Sequence, residues 1–270
     1  MKNIDFSKIY SYSKLELFEK CKKQYHFYYL DPQIVPIKKQ FKKQRDYQTK
    51  GQAVHGAITL FYYLPVQDRT FDNLKKCLKE AWFSEIDLFK EPPLGKLGGF
   101  DSLEHEKKIY YDVLRLLKNF FELNNFNSNL FYLPTKNIKN SFSDYENLIK
   151  PLSEELFISG KFDRIDKFEN NNLRIIDYKT GKKEGDQFQL DFYKLLAELN
   201  FDNKVSTVSF YYLDSGEGED FDVSNLDQNR IKYQILEKIE NIKNTQEFPP
   251  EPSGLCNHCD FQEICPIYKP

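Results

Sequence analysis

Apolar positions recur at the spacing of α-helices through the first part of the chain. This spacing predicts helices over residues 11–30, 52–64, 71–89 and 103–123. We expect Ser13 to cap the first helix, with Glu16 completing a capping box three residues later. The helical block that ends near residue 129 resembles an insertion or cap, which we assign to residues 65–129.

After residue 129 the pattern changes to short apolar or alternating runs that are typical of strands. The runs that predict strands are residues 130–138, 155–165, 173–179 and 205–213. Helical spacing returns at residues 187–199 and 225–242. Strands with helices on both sides predict a mixed α/β core, and the 270 residues allow one large domain over residues 1–270.

The composition is typical of a folded protein that does not cross a membrane. Hydrophobic residues make up 40% of the chain and aromatic residues 16%, so a substantial core can form. The mean hydropathy is -0.66, and no apolar run approaches the about 20 residues that span a bilayer. Residues 1–5 contain no apolar signal region, so we expect the protein in the cytoplasm.

Charge is distributed unevenly along the chain. The net charge is -2, but residues 14–50 contain ten Lys and Arg against four Asp and Glu. A local basic excess of this kind is suited to phosphate groups. The candidate nucleic-acid contacts are Lys38, Lys39, Lys42 and Lys43. The alternative interpretation of this segment is a solvated face.

A carboxylate and lysine constellation lies at the end of one predicted strand. Asp177 and Lys179 are two residues apart, so they share a face of the strand. Asp163 belongs to the preceding predicted strand, and a hairpin between the two strands puts it beside Asp177. Neighbouring carboxylates repel each other, and a divalent cation such as Mg²⁺ or Mn²⁺ removes the conflict. The alternative interpretation of Asp177 and Lys179 is an exposed ion pair.

The cysteines indicate a metal centre. Cys256, Cys259 and Cys265 lie within ten residues, and Cys21 is the natural fourth ligand although it lies far away in sequence. Four thiolates also suit zinc, and His258 is an alternative to Cys21 in a zinc site. Cys77 remains, on an apolar helix face where we expect it to pack as a small hydrophobic residue.

Several of these segments together resemble one enzyme family. Asp163 with Asp177-Tyr178-Lys179 is similar to the active-site signature of PD-(D/E)xK nucleases, in particular the RecB/AddB-like exonuclease branch. The other motifs of that branch are matched in order by the helix at residues 11–21, Gly51 to His55, Gln189 to Tyr193 and the C-terminal cysteines. The resemblance spans nearly the whole chain except about residues 65–150. It implies a restriction-endonuclease-like core, a mixed central sheet flanked by helices.

The resemblance also implies roles for individual residues. His55, Asp163, Asp177 and the backbone carbonyl of Tyr178 would hold Mg²⁺ or Mn²⁺, and Lys179 would be the catalytic lysine. Gln189 and Tyr193 lie one helical turn apart and would contact the DNA backbone or brace the site. The alternatives are a core histidine at His55 and a polar helix stripe at Gln189 and Tyr193.

In the RecB/AddB-like branch, one cysteine of the N-terminal helix and three near the C-terminus hold a 4Fe–4S cluster. Cys21, Cys256, Cys259 and Cys265 match that set. The resemblance therefore implies that residues 249–270 and Cys21 form an iron–sulfur clasp, with zinc as the rival metal. A link between distant segments stabilises a fold because it closes a long loop of the unfolded chain.

The function implied by the resemblance is hydrolysis of DNA phosphodiesters, as an exonuclease on single strands or DNA ends. Members of the family act in recombination, repair and CRISPR adaptation, and Asp177 favours the RecB/AddB-like side. One alternative is a nuclease-fold subunit that binds DNA or assembles within a helicase–nuclease complex. Another is a zinc-stabilised RNA nuclease. A helicase or a CRISPR adaptation protein is the expected partner class, besides DNA itself.

Overall fold

The computed structural model describes residues 5–84, 93–124, 129–134, 148–181 and 186–268. Within these residues it contains helices and two mixed sheets, which confirms the predicted α/β class. The chain divides into two compact units. Unit 1 comprises residues 1–43, 149–160 and 227–270, and unit 2 comprises residues 44–148 and 161–226. None of the helices in the described residues is long and apolar enough to span a membrane.

Unit 1 combines a small sheet with three helices. Its strands are β1 (Ile9–Ser11), β3 (Leu148–Pro151) and β4 (Phe157–Gly160), in the order β1-β4-β3. Its helices are α1 (Tyr12–Lys20), α2 (Lys22–Tyr29) and α7 (Gln228–Asn244). β1 is parallel to β4, with Tyr10 opposite Ile158. Both of these residues are buried, so the small sheet contributes to a core of its own.

The predicted helix over residues 11–30 is two helices, broken at Cys21. Cys21 has an extended backbone (φ -164°, ψ 106°), and its Sγ accepts a hydrogen bond from the N–H of Gln24 at 3.5 Å. The sulfur thus satisfies one of the free N–H groups at the start of α2. Ser11, not Ser13, caps α1 by accepting from the N–H of Lys14 at 3.1 Å. Because the backbone of Cys21 is extended, its side chain does not continue the helix face that the sequence pattern predicts.

Unit 2 is built on a five-stranded sheet with the order β2-β5-β6-β7-β8. The strands are β2 (Leu130–Tyr132), β5 (Arg164–Lys167), β6 (Leu173–Lys179), β7 (Val205–Tyr212) and β8 (Glu217–Asp222). β6 pairs with β7 in parallel, and the other neighbours are antiparallel. The central strand β6 therefore has its two flanking strands in opposite directions, and its buried isoleucines Ile175 and Ile176 anchor it.

The predicted strand over residues 155–165 is wrong as a single element. Its first part is β4 in the small sheet and its last part is β5 in the large sheet. The apolar pattern of the sequence is not interrupted between β4 and β5, because Phe162, which lies between the two strands, is also buried. Residues 135–138 of the predicted strand over residues 130–138 lie outside the described residues, as do residues 85–89 of the predicted helix over residues 71–89.

The helices of unit 2 are α3 (Asp46–Tyr63), α4 (Phe71–Ser84), α5 (Leu103–Leu123) and α6 (Gln187–Asn200). The first three share one hydrophobic cluster, which also includes Ile176 and Tyr178 of β6. Phe120 of α5 contacts the ring of Tyr178 edge-on at 5.4 Å. Helices α4 and α5 thus share a core with the strand that carries Asp177 and Lys179.

A glycine fixes the start of α3 against the turn before α5. Gly99 has a φ of +81°, a conformation that costs little only for glycine. A Cβ at this position would lie 2.5 Å from the backbone of Arg45. Any side chain at residue 99 would therefore push the turn away from the N-terminus of α3, the helix that carries His55.

Candidate active site

The end of β6 presents two charged side chains on one face. The Oδ2 of Asp177 lies 2.8 Å from the Nζ of Lys179, as the alternation of strand side chains predicts. The two side chains are only 14% and 18% exposed. The pair is therefore not the exposed ion pair of the alternative interpretation.

The neighbouring strand brings a second carboxylate to the same place. In the antiparallel register of β5 and β6, Arg164 lies opposite Ile176. One step further along both strands, Asp163 comes opposite Asp177. The expected hairpin is present, and Asp163 is near enough to Asp177 to raise its pKa, although Asp163 lies just before β5 and not within a longer strand.

Asp163 is held by groups from two other elements. Its Oδ2 accepts a hydrogen bond from the backbone N–H of Tyr178 at 2.9 Å. Its Oδ1 lies 2.9 Å from the Nδ1 of His55, which α3 supplies. The Tyr178 side chain points the other way and is buried among the aromatic residues of unit 2. His55 is thus a hydrogen-bond partner of Asp163, and with a side chain that is 35% exposed it is not a core residue.

Gln189 and Tyr193 complete a closed ring of hydrogen bonds. The Nζ of Lys179 donates to the Oε1 of Gln189 at 2.9 Å, and the Nε2 of Gln189 donates to the hydroxyl of Tyr193 at 3.1 Å. That hydroxyl donates to the Oδ1 of Asp177 at 3.0 Å. Asp186 caps α6 by accepting from the N–H of Gln189 at 2.7 Å, which fixes the first turn of the helix.

The electrostatics of the site disfavour two negative charges. Burial raises the pKa of Asp177, and the Asp163 carboxylate adds to the effect, while Lys179 opposes it. For His55, burial lowers the pKa, but the Asp163 and Asp177 carboxylates together outweigh burial and the net shift is upward. Burial raises the pKa of Tyr193 well above its usual value, so its hydroxyl stays a donor. A divalent cation at the carboxylates would favour both anions.

A sequence model of the PD-(D/E)XK nuclease superfamily matches residues 9–266. The chain belongs to the PD-(D/E)XK nuclease superfamily. Members of this superfamily are generally nucleases that cleave phosphodiesters, and they typically use Mg²⁺ or Mn²⁺.

Two curated phage proteins are similar to part of this superfamily member. The Gene 69 protein of Mycobacterium phage L5 is 31% identical over 107 residues, which is 37% of this chain and 37% of the phage protein. The Gene 69 protein of Mycobacterium phage D29 is 28% identical over 107 residues, which is 37% of this chain and 39% of the phage protein. The similarity thus covers little more than a third of either relative.

Among solved structures, one similar chain is that of the crystal structure of SSO0001. It shares 16% sequence identity at a TM-score of 0.35, over 61% of this chain and 72% of that chain. The assignment to the superfamily rests on the family match.

The donor set at the carboxylates is of the kind that Mg²⁺ and Mn²⁺ accept in this superfamily. Asp163 and Asp177 offer oxygen atoms, and His55 offers an imidazole nitrogen. As the side chains stand, no group of three His, Cys, Asp or Glu in the described residues is arranged to hold a metal ion. Asp177 is turned towards Lys179 and Tyr193, so an ion would compete with these two partners.

The candidate cluster ligands meet within unit 1. One cavity is lined by Cys21, Cys256, Cys259 and Cys265. Two of the sulfur atoms already accept backbone hydrogen bonds, Cys21 from Gln24 at 3.5 Å and Cys256 from Ser253 at 3.3 Å. Burial raises the pKa of the Cys259 thiol, and the nearby Cys21 and Cys265 add to the effect. A raised thiol pKa disfavours the thiolate that a metal centre requires, and as the side chains stand in the described residues the four cysteines do not form a group arranged to hold a metal ion.

The remaining cysteine and histidine candidates lie elsewhere. Cys77 is buried in the hydrophobic cluster of unit 2, on α4, where burial raises its pKa to about 11. It packs as a small hydrophobic residue, as its helix face predicts. His258 is not among the residues that line the cysteine cavity.

The four candidate lysines differ in their surroundings. Lys38 donates from its Nζ to the carbonyl of Tyr28 at 2.8 Å, and Lys43 pairs with Glu263 at 2.7 Å. Lys39 and Lys42 are exposed, and within the described part of the chain no ion pair is recorded for either of them. A count of basic residues along the sequence does not distinguish these two situations.

Sequence reasoning missed Asp260, a buried carboxylate in the cysteine-rich tail. It accepts from the hydroxyl of Tyr28 at 2.6 Å and from the backbone N–H of Lys43 at 3.4 Å. Its position directly after Cys259 is the only signal that the sequence offers, and a lone aspartate next to a cysteine is too common to be noticed.

Proposed function

We propose that the protein is a metal-dependent deoxyribonuclease that acts as an exonuclease on single strands or DNA ends. The observation that supports it best is Asp163 opposite Asp177, with Lys179 on the same face. Carboxylates and a lysine in this arrangement are suited to hydrolysis of a phosphodiester.

In this proposal Asp163, Asp177, His55 and the carbonyl of Tyr178 bind Mg²⁺ or Mn²⁺. When bound, the ion lowers the pKa of a water ligand and offsets the charge of the scissile phosphate. Lys179 leaves its ion pair with Asp177 and stabilises the negative charge that develops on the phosphate. Gln189 holds the ammonium group of Lys179, and Tyr193 holds Asp177, so both orient the reacting groups.

Digestion of end-labelled DNA tests the function directly. We expect cleavage of single-stranded and double-stranded oligonucleotides in Mg²⁺ or Mn²⁺ and none in EDTA. Exonuclease action predicts a ladder that starts at one end and no cleavage of a circular single strand. Cleavage of the circle would replace exonuclease by endonuclease action, and cleavage of RNA alone would replace the substrate class. DNA binding without any cleavage would favour the alternative of an assembly subunit.

The sequence motifs and composition alone support three further proposals. These are a role in recombination, repair or CRISPR adaptation, a helicase partner and a cytoplasmic location. The aspartate at position 177 supports the RecB/AddB-like branch of the superfamily. Reduced thiols are typical of cytoplasmic proteins, and the five cysteines are all free in the structure.

We further propose that Cys21, Cys256, Cys259 and Cys265 bind a 4Fe–4S cluster, with zinc as the rival metal. The shared cavity and the two N–H···S hydrogen bonds support this ligand set. Hydrogen bonds to ligand sulfurs are among the features that tune such clusters. The role is structural, because a shared centre connects α2 with the tail of unit 1.

Replacing Cys21 by Ser should remove most of the bound metal and expose the tail to protease. Cys77→Ser is the matched control and should keep both metal and tail protection, because Cys77 packs in unit 2. Iron and zinc analysis of anaerobically purified protein, with limited proteolysis, measures both effects. Stoichiometric zinc without iron would overturn the cluster and keep the ligand set. If Cys21→Ser keeps its metal and His258→Ala loses it, His258 is the fourth ligand.

A further inference from the structure

The basic residues at 38–43 form a loop that is attached to the cysteine-rich tail. We define the basic loop as residues 35–43, which begins with a 3₁₀ turn at Val35–Gln40. We define the tail segment as residues 260–263, which lies between Cys259 and Cys265. Both belong to unit 1.

The tail segment makes three contacts with one end of the loop. The backbone N–H of Lys43 donates to Asp260 Oδ1 at 3.4 Å, and the Nζ of Lys43 lies 2.7 Å from Glu263 Oε1. The rings of Phe41 and Phe261 have their centroids 5.6 Å apart. Phe261 is fully buried, so the tail provides a fixed base for the loop.

The first lysine of the loop, Lys38, is connected to the Asp260 carboxylate through Tyr28. The hydroxyl of Tyr28 donates to Asp260 Oδ2 at 2.6 Å, and its carbonyl accepts from the Nζ of Lys38 at 2.8 Å. Burial and Asp260 raise the pKa of Tyr28 well above its usual value, so the tyrosine remains a donor. Asp260 is buried, and a buried carboxylate requires such partners.

The lysines of the loop differ in whether a carboxylate faces their ammonium group. Lys39 and Lys42 are exposed to solvent. Lys43 is half exposed, but its ammonium group faces Glu263, whose side chain is 66% exposed. An ion pair this exposed is weak, so a phosphate group can replace the carboxylate. Glu263 is therefore an acidic partner of Lys43 that competes with phosphate for the same ammonium group.

We propose that the tail segment controls how the basic loop binds the phosphate backbone of single-stranded DNA. Asp260 positions the loop, and Glu263 competes with phosphate for Lys43. The inference rests on the proposed function because it requires that the protein binds DNA. It predicts opposite effects from two acidic residues that are three positions apart, which a merely structural role of the tail would not produce.

Binding of a fluorescent single-stranded oligonucleotide, measured by anisotropy in EDTA over a salt series, tests the proposal. Glu263→Gln should tighten binding by about two- to five-fold, because it removes the carboxylate that competes with phosphate for Lys43. The slope of the logarithm of the binding constant against the logarithm of the salt concentration should also become steeper by about 0.7. This is the change that one added phosphate contact causes for a single strand. Glu237→Gln removes an equivalent exposed charge on α7 and is the matched control.

Asp260→Asn should weaken binding by about five- to ten-fold, because an unfixed loop has to be ordered on binding. Trypsin should then cleave after Lys39 and Lys42 faster than in the wild type. Tyr28→Phe removes a single hydroxyl and should give the same direction of change, even if Asp260→Asn lowers folding stability. Circular dichroism and metal content check that each variant remains folded.

Three results would overturn the proposal. Equal shifts of affinity and salt slope in Glu263→Gln and Glu237→Gln would contradict the proposed competition at Lys43. Folded Asp260→Asn and Tyr28→Phe proteins with wild-type affinity and tryptic pattern would remove the positioning role. A wild-type protein that binds no DNA at any salt concentration would overturn the proposed function as well, whereas the first two results would leave it intact.

Discussion

Asp177→Asn should abolish DNA cleavage and leave the protein folded. The carboxylate lies in a mostly buried site beside Asp163 and Lys179, so its loss removes both a proposed metal ligand and the partner of the lysine. We expect a rate at least about 10³-fold lower, which corresponds to about 4 kcal/mol of activation free energy. Initial rates on an end-labelled oligonucleotide measure the loss.

The matched control is Asp202→Asn, an exposed aspartate of unit 2, which should cleave at the wild-type rate. Metal binding gives a second readout that does not depend on catalysis. Mg²⁺ or Mn²⁺ should raise the melting temperature of the wild type, because a ligand that binds the folded state stabilises it. Asp177→Asn should lose that rise. Cleavage by Asp177→Asn at the wild-type rate would show that the active site lies elsewhere.

Asp166→Ala should be the most destabilising single substitution that we propose. Asp166 receives two hydrogen bonds from the guanidinium of Arg164, and both residues are buried, at 5% and 2% exposure. The same guanidinium contacts the hydroxyls of Tyr62 and Tyr178. Removing the carboxylate leaves a buried positive charge, which costs about 3–5 kcal/mol. Urea unfolding followed by circular dichroism measures the change.

The Arg174–Asp220 pair provides the control on the same sheet. Its nitrogen and oxygen atoms are 2.6 Å apart, but the Asp220 side chain is 57% exposed. Asp220→Ala should therefore cost only about 1 kcal/mol or less. Equal losses at Asp166 and Asp220 would contradict the argument from burial.

The central part of the active site could be predicted because it depends on local geometry. Alternation along a strand puts Asp177 and Lys179 on one face, and helical spacing puts Gln189 next to Tyr193. The hydrogen-bonded ring that joins these four residues could not be predicted, because it depends on how α6 packs against β6. Likewise, nothing local in the sequence gives the contact of His55 with Asp163.

The errors in the predicted fold have physical causes. A cysteine is an uncommon helix cap, so the break at Cys21 was hidden within an unbroken apolar pattern. β8 was missed because its sequence, Glu217–Asp222, contains four acidic residues and lies at the edge of the sheet. At an edge, backbone pairing with one neighbour is enough, and the apolar alternation on which the prediction depends is absent.

Unit 1 is assembled from three separate stretches of chain, and this affects the order of folding during synthesis. Residues 44–226, which include both stretches of unit 2, are complete before residues 227–270 leave the ribosome. By then the residues of β1 and β4, which pair in parallel, have been synthesised. The residues of α7 and three of the four cavity cysteines have not. The residues of the carboxylate site are therefore all synthesised before the cysteine cavity can be complete, and Cys21 has none of its three candidate partner thiols until residues 256–265 are made.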